Sequence, residues 1–344
     1  MTHVLVIRLS AMGDVAMTVP VVRALVQQYS DVRVTVVSRP FFKPFFDDID
    51  RVDFFSVDLQ KRHKGFVGIY RLFQDLKKLK INCVADFHNV LRSKILRTFF
   101  KLSGIKTAFT NKGRAEKKAL TRAENKILKP LKLMTERHLD TLAALGFSVD
   151  LSKITFPEKV ELSQDILKIT TEKSKNKWVG IAPFAQYQTK VYPADLMKVI
   201  IRKLAEKPLH KIFLFGGKNE LQQLIDLKQH LENVILVPEY FNFKQELQLM
   251  PHLNIMLSMD SGNAHIAAMY GVPVITLWGN THPFAGFVPF SQPLENSLTP
   301  DLEKYPLLPT SVYGNKIIPG YEDVMQTITP EKVVDKINDL LEIH

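Results

Sequence analysis

Val4-Leu5-Val6-Ile7-Arg8-Leu9-Ser10-Ala11-Met12-Gly13-Asp14 lies at the start of the chain, and its reading decides the fold. The run Val4–Ile7 is apolar and β-branched, as in a parallel strand buried on both faces. Ser10–Asp14 interrupts it with small and polar residues. Val15, Val19, Val22, Leu25 and Val26 then recur at helical spacing, and Val32–Val37 is apolar again. Strand, turn, helix and strand in this order form a βαβ unit with a right-handed crossover.

The pattern continues outward. Val52–Val57 and Cys83–Asp86 read as strands, Tyr70–Leu79 as a basic helix, and residues 89–150 as mainly helical. From Leu151 to Lys177 the chain is charged, lacks glycine and contains Pro157, which predicts a domain boundary. Beyond it the alternation restarts. Strands are predicted at Trp178–Ala182, Ile212–Phe215, Val234–Val237, Ile255–Ser258 and Val274–Trp278, with helices at Pro193–Glu206 and Leu221–Leu231. Thr329-Pro330-Glu331 is an N-cap, an N1 proline and an early acid, and starts a last amphipathic helix to Leu341. Strands alternating with helices predict an α/β protein of two doubly wound parallel-sheet domains. Such sheets bind ligands at the carboxyl ends of their strands, so the expected site is a central cleft that both domains face.

With 344 residues, 46% of them hydrophobic, the chain can bury two ordinary cores. No apolar run reaches the roughly 20 residues that span a bilayer. The N-terminus lacks the basic region of a signal peptide. A single cysteine, Cys83, excludes an intramolecular disulfide and a cysteine-based metal site, and points to a reduced, cytoplasmic setting. The formal net charge of +11 favours polyanionic partners: nucleic acid, anionic lipid head groups or phosphorylated substrates. From Lys101 to Arg137 there are eleven Lys or Arg against three Glu. This segment is either a solvated basic face or one that docks an acidic acceptor or membrane.

Four loops carry residue types suited to chemistry, each just after a predicted strand. Gly13-Asp14 places a carboxylate near a helix start, where it is either a cap or a general base. Ala182-Pro-Phe-Ala-Gln-Tyr-Gln-Thr-Lys190-Val-Tyr-Pro193 offers one lysine, either an ordinary exposed side chain or a point charge for a diphosphate. In Phe215-Gly-Gly-Lys-Asn-Glu220, two glycines admit a ligand to the backbone, and Glu220 is either a helix-starting acid or a partner for ribose hydroxyls. Ser258-Met-Asp260-Ser261-Gly262-Asn263-Ala264-His265 ends a strand and starts a helix with small residues. Its amide groups can face an anion, and His265 can donate to phosphate. Asp260 suits a sugar hydroxyl, or is a simple N-cap. No dinucleotide-type GxGxxG follows a predicted strand and no GxxxxGK[ST] occurs, which argues against a dehydrogenase or a P-loop enzyme. No HExxH or His/Asp cluster is visible, so no metal site is expected.

These loops, with Asp86-Phe-His-Asn-Val-Leu-Arg-Ser93 and the continuation through Gly271-Val-Pro-Val-Ile-Thr-Leu-Trp-Gly-Asn-Thr-His-Pro283, resemble glycosyltransferase family 9, the ADP-heptose:lipopolysaccharide heptosyltransferases. The order and spacing match, and the resemblance runs from residue 1 to the final helix. It implies a GT-B arrangement. Residues 1–160 would form an acceptor-binding Rossmann-like domain and residues 161–328 a nucleotide-sugar-binding one. The helix in 329–344 would cross back to the first. It implies an inverting, metal-independent transfer of heptose from ADP-heptose, with no cofactor beyond that co-substrate.

On this resemblance Asp14 is the general base, supported by Ser10 and Gly13. Lys190, Glu220, Asp260, Ser261, Gly262 and His265 bind the donor, while Arg92, Lys112 and Arg114 meet the acceptor. The implied partners are the nucleotide sugar, a lipid-anchored phosphorylated lipopolysaccharide core and the anionic inner-membrane surface. Nucleic acid is not expected. The chain departs from the family pattern at Tyr192, where Trp is usual, at Phe184, a common glycine, at Ala185 and Gln186, and at Asn280 and His282 in the loop after Trp278. These leave open another nucleotide sugar within the GT-B class. A non-catalytic protein that binds anionic membrane or nucleic acid is the alternative from another class.

Overall fold

Every strand pair among the described residues is parallel, as the two-sided apolar strands predict. The computed structural model describes residues 1–171 and 176–343. Residues 172–175 of the expected boundary segment, and His344 of the final one, lie outside the described residues. Two compact units result. One comprises Met1–Arg114 and Lys132–Pro157, the other Ala115–Leu131 and the chain from Glu158 onward.

In the first unit, β1 (Thr2–Ile7), β2 (Val32–Ser38), β3 (Val52–Ser56), β4 (Cys83–Asp86) and β5 (Lys106–Phe109) lie in the order β3-β2-β1-β4-β5. Val4 stands opposite Val34 on one side and Cys83 on the other. The chain therefore builds outward from β1 to β3, then returns to add β4 and β5 on the other flank. The switch point lies between β1 and β4. The helices of this unit are α1 (Met12–Ala16), α2 (Thr18–Gln28), α3 (Gly65–Lys77), α4 (Leu91–Leu102) and α6 (Met134–Leu145), while α5 (Arg114–Thr121) falls in the segment that groups with the second unit. Leu5, Ile7, Ile69, Leu72, Leu96 and Phe100 are among the side chains that close the core between sheet and helices.

Helix predominates in residues 89–150, in α4, α5 and α6, but β5 interrupts it and residues 122–133 hold neither helix nor strand. Only Ala108 of β5 is buried, because it is an edge strand of four residues, too short for a period of two to show. Residues 115–131 group with the second unit and not with the first. Leu131 N donates to the Phe284 carbonyl at 2.9 Å, Lys126 Nζ donates to the Pro309 carbonyl at 3.0 Å, and the Lys117 ammonium lies 4.0 Å from the centre of the Phe287 ring.

The second unit begins with α7 (Gln164–Thr170). Its strands β6 (Lys177–Ala182), β7 (His210–Leu214), β8 (Val234–Leu236), β9 (Ile255–Met259), β10 (Val274–Leu277) and β11 (Ser297–Leu298) lie in the order β11-β10-β9-β6-β7-β8. The switch point falls between β6 and β9. Between and after the strands come α8 (Ala194–Ala205), α9 (Leu221–Lys228), α10 (Val237–Tyr240), α11 (Phe243–Leu249), α12 (Gly262–Met269) and α13 (Pro330–Ile343). Thr329 caps α13 through Lys332 N at 3.3 Å. The apolar stripe of α13, Val333, Val334, Ile337 and Leu341, joins the core of the second unit, and Glu331 pairs with Lys203 of α8 at 2.7 Å. The apolar face of this helix is thus buried where α8 lies.

Candidate active site

Each unit gathers its polar side chains at its own switch point. In the second, Lys190 follows β6 and Asp260 follows the neighbouring strand β9. Lys190 Nζ donates to the Asp260 backbone carbonyl at 2.5 Å and to Asp260 Oδ2 at 3.1 Å. Both side chains are close to nine-tenths buried. Thr281, after β10, donates its hydroxyl to the same Oδ2 at 2.9 Å. The loops that hold this trio are pressed together backbone to backbone. Asn280 N donates to the Thr189 carbonyl at 3.0 Å, and a Cβ on Gly279 would stand 2.1 Å from that oxygen. Only glycine fits there. Gly314, at φ +80°, covers the Lys190 stem, and Thr189 Oγ1 donates to its carbonyl.

The other expected donor residues surround this pair. Ser261 is the N-cap residue of α12, and its Oγ lies 3.1 Å from Ser258 Oγ. Gly262 starts the helix and His265 is buried in its first turn. The amide groups of that turn point out of the carboxyl edge of the sheet beside Asp260, a place where an anion is favoured. Glu220 lies after β7, the next strand beyond β6. Its Oε2 accepts the Gly217 amide at 2.6 Å, so it closes the turn that starts α9. The sheet order thus sets Asp260, Lys190 and Glu220 on three adjacent strands, β9, β6 and β7.

In the first unit, Asp14 lies in the first turn of α1, which begins three residues earlier than its apolar spacing predicts. Asp14 Oδ2 accepts the Ala11 amide at 3.3 Å and pairs with Arg8 at 2.6 Å. Arg8, almost wholly buried, also donates to the Phe87 carbonyl after β4 at 2.8 Å. The capping role is therefore real, and a second cationic contact accompanies it. Ser10 lies in the intervening turn, and Gly13 lies inside α1 without a left-handed φ.

Asp86, fully buried at the end of β4, accepts from the amides of His88 and Asn89 at 3.1 and 2.7 Å and pairs with Arg97 at 2.8 Å. Burial outweighs those partners and pushes its carboxyl above the usual range. Burial first, then Arg8 and Lys112, hold the His88 ring down at about 3. Burial first, then Arg8, lowers Lys112 to about 8, with Asp14 opposing and Arg114 adding to the effect. Arg92, in the first turn of α4, also acts on His88. Arg8, Arg92, Lys112 and Arg114 therefore form one positive field around two carboxylates, Asp14 and the buried Asp86. Such a field attracts an anionic group.

Sequence reading missed Arg8, Thr281 and the glycines at 279 and 314. Arg8 was hidden within an apolar strand end. Thr281 falls in the loop singled out only for its departures. At another departure, His282, Nδ1 accepts the Phe284 amide at 3.2 Å, and burial holds the ring down to about 4, hence neutral. The imidazole thus caps that short turn as a carboxylate would. Tyr192 is a core residue: it is 1% exposed and donates its hydroxyl to the Ile328 carbonyl. Among the described residues no group of three or more His, Cys, Asp or Glu is placed to hold a metal ion, and no helix is long and apolar enough to cross a membrane.

The family model for glycosyltransferase family 9 (heptosyltransferase) matches residues 69–311. Lipopolysaccharide heptosyltransferase 1 of Campylobacter coli is 24% identical over 294 residues, covering 80% of this chain and 83% of that protein. A family 9 glycosyl transferase from Veillonella parvula superposes with a TM-score of 0.76 at 17% identity, covering 100% of this chain and 98% of that one. The E. coli heptosyltransferase WaaC with ADP gives 0.68 at 17% identity, covering 98% of this chain and 100% of that one. At such identities the structural likeness shows the two-domain GT-B fold.

Proposed function

The chain belongs to glycosyltransferase family 9, the heptosyltransferases, and we propose that it transfers heptose from ADP-heptose to the inner core of lipopolysaccharide, inverting the anomeric carbon. The observation that carries this reading is the Lys190–Asp260–Thr281 lock beside the first turn of α12. An ammonium has three donors, and Asp260 accepts two of them. The third, with the α12 amides and His265, meets the diphosphate. Asp260 is then not a repelling charge but the group that aims Lys190. Glu220 takes the ribose; the likeness to a Campylobacter lipopolysaccharide heptosyltransferase supports a heptose donor, and the likeness to E. coli WaaC, which is known with ADP-2-deoxy-2-fluoro heptose, supports one carrying ADP.

The chemistry follows from these placements. The acceptor hydroxyl attacks the anomeric carbon as the bond to ADP breaks. Asp14, oriented by Arg8, takes the hydroxyl proton, an effect worth about 10²–10⁴-fold. Negative charge grows on the departing diphosphate, where Lys190 and the helix start stabilise it without a metal ion. Arg92, Lys112 and Arg114 hold the phosphorylated, lipid-anchored acceptor.

The test is transfer in vitro. The chain is incubated with ADP-heptose and a heptose-deficient inner-core acceptor, and ADP release and the mass of the acceptor are followed. One heptose added per acceptor is expected. Transfer only from a uridine or guanosine nucleotide sugar would overturn the donor assignment, and no transfer from any donor would overturn the reaction.

A further inference from the structure

We propose that the shared flank of α3 and α4 is a docking surface for an anionic lipid bilayer. The core sides of these helices are taken by Ile69, Leu72, Leu96 and Phe100. Yet Phe66 is 64% exposed and Tyr70 47%, one helical turn apart on α3, and Leu102 at the end of α4 is 80% exposed. The rings are not scattered. Phe66 and Tyr70 both meet the half-buried Phe99 of α4 edge to face, at 5.9 and 5.5 Å between centroids. Two helices thereby present one continuous aromatic ridge to solvent.

The charge around the ridge identifies its occupant. Residues 61–109 contain twelve Lys or Arg and two Asp. Both acids are already engaged: Asp86 is buried on Arg97, and Asp75 is held by Arg62 at 2.7 Å. Lys64, Arg71 and Lys101 are exposed beside the ridge residues. Outside residues 61–137 the chain carries a net charge of −5, so its whole basic excess lies in this stretch. Aromatic rings and a leucine among unopposed cations suit the head-group boundary of an anionic membrane. There Tyr sits at the interface, apolar side chains enter the acyl edge, and long cations reach the phosphates. An exposed leucine has no comparable partner on a phosphate backbone. The basic residues 115–131 belong to the other unit and present no such ridge, so docking is assigned to α3 and α4.

This assignment stands whichever sugar is moved. One link does rest on the proposed function: Arg92, in the first turn of α4 at the candidate active site, shares its helix with Phe99. Docking by this flank therefore sets the acceptor-binding end of α4 at a fixed height above the lipid.

The experiment is cosedimentation of the full chain with vesicles of phosphatidylglycerol and phosphatidylethanolamine, against vesicles of phosphatidylcholine alone. The parent chain binds the anionic vesicles in a salt-sensitive manner and the neutral ones weakly. Phe66→Ser and Tyr70→Ser each lower the partition about tenfold, the loss expected from an exposed ring that becomes buried in the membrane. The combined Lys64→Glu, Arg71→Glu and Lys101→Glu variant abolishes it. Unchanged thermal unfolding confirms that these surface variants fold. The assignment is overturned if the parent chain does not bind anionic vesicles, if it binds neutral ones equally, or if the ring variants bind like the parent. It is also overturned if Lys118→Glu with Arg122→Glu, on residues 115–131, is the change that removes binding.

Discussion

Replacing Asp14 by Asn removes two things at once, and the structure allows them to be separated. Arg8 is 3% exposed and its guanidinium is neutralised by Asp14 at 2.6 Å. Losing one member of a buried pair leaves a buried charge without compensation, which costs about 3–5 kcal/mol. Here the Asp14 side chain is 30% exposed and Arg8 keeps its bond to the Phe87 carbonyl, so about 2–3 kcal/mol is expected. For a unit of this size that lowers Tm by roughly 6–15 °C. Turnover falls by about 10²–10⁴-fold if Asp14 is the base. Adding Arg8→Met removes the stranded cation, so the double variant recovers about 1–2 kcal/mol relative to the sum of the single losses, while turnover stays low. Thermal unfolding and single-turnover transfer are measured on the parent and all three variants. Additive stability losses would show that the pair is not coupled. Recovered turnover in the double variant would refute the base assignment, because Asp14 would then serve only to neutralise Arg8.

Lys190→Ala and His265→Ala each weaken ADP binding by about 1–3 kcal/mol, read by calorimetric titration; two variants with parental affinity would place the diphosphate elsewhere. Burial lowers Lys112 from 10.5 to about 8, so the folded chain loses this proton before the unfolded chain does, and stability from this group is lowest below pH 8 and rises between about 8 and 10.5. Its charge on the acceptor follows the opposite course: the acceptor KM should rise as pH passes about 8 in the parent and stay flat in Lys112→Arg, and a parental rise in that variant would exclude Lys112 as the contact. Transfer should survive excess EDTA, since Lys190 and the start of α12 supply the electrostatics; loss on chelation, with recovery on adding magnesium, would refute this.

The departures at Tyr192 and His282 have local structural roles. Tyr192 is buried against the second unit's core and anchors the start of α8 to the Ile328 carbonyl. An indole has its own buried N–H donor, so either ring can fill this place. His282 keeps the turn before Phe284 capped while remaining neutral. The turn beside Thr281 is therefore capped by a neutral ring, which adds no charge there.

What the sequence determined by itself was local and periodic. Buried parallel strands need two apolar faces, and amphipathic helices need a spacing near 3.6. Val4–Ile7, Trp178–Ala182 and Ile255–Ser258 declare themselves without knowledge of their neighbours. The loops after those strands were legible too, because glycines, a lysine and small residues stand at strand ends. What only the tertiary structure decided was which strand lies beside which. Lys190 meets Asp260 across 70 residues and Arg8 meets the Phe87 carbonyl across 79, because the order in which parallel strands are added to each sheet reverses between β6 and β9 and between β1 and β4. Residues 115–131 and α13 likewise take their unit from long-range contacts, and an apolar stripe states that it must be covered but not by what. Pairing and coverage are set by the free energy of the whole packed core, which no window of a few residues contains.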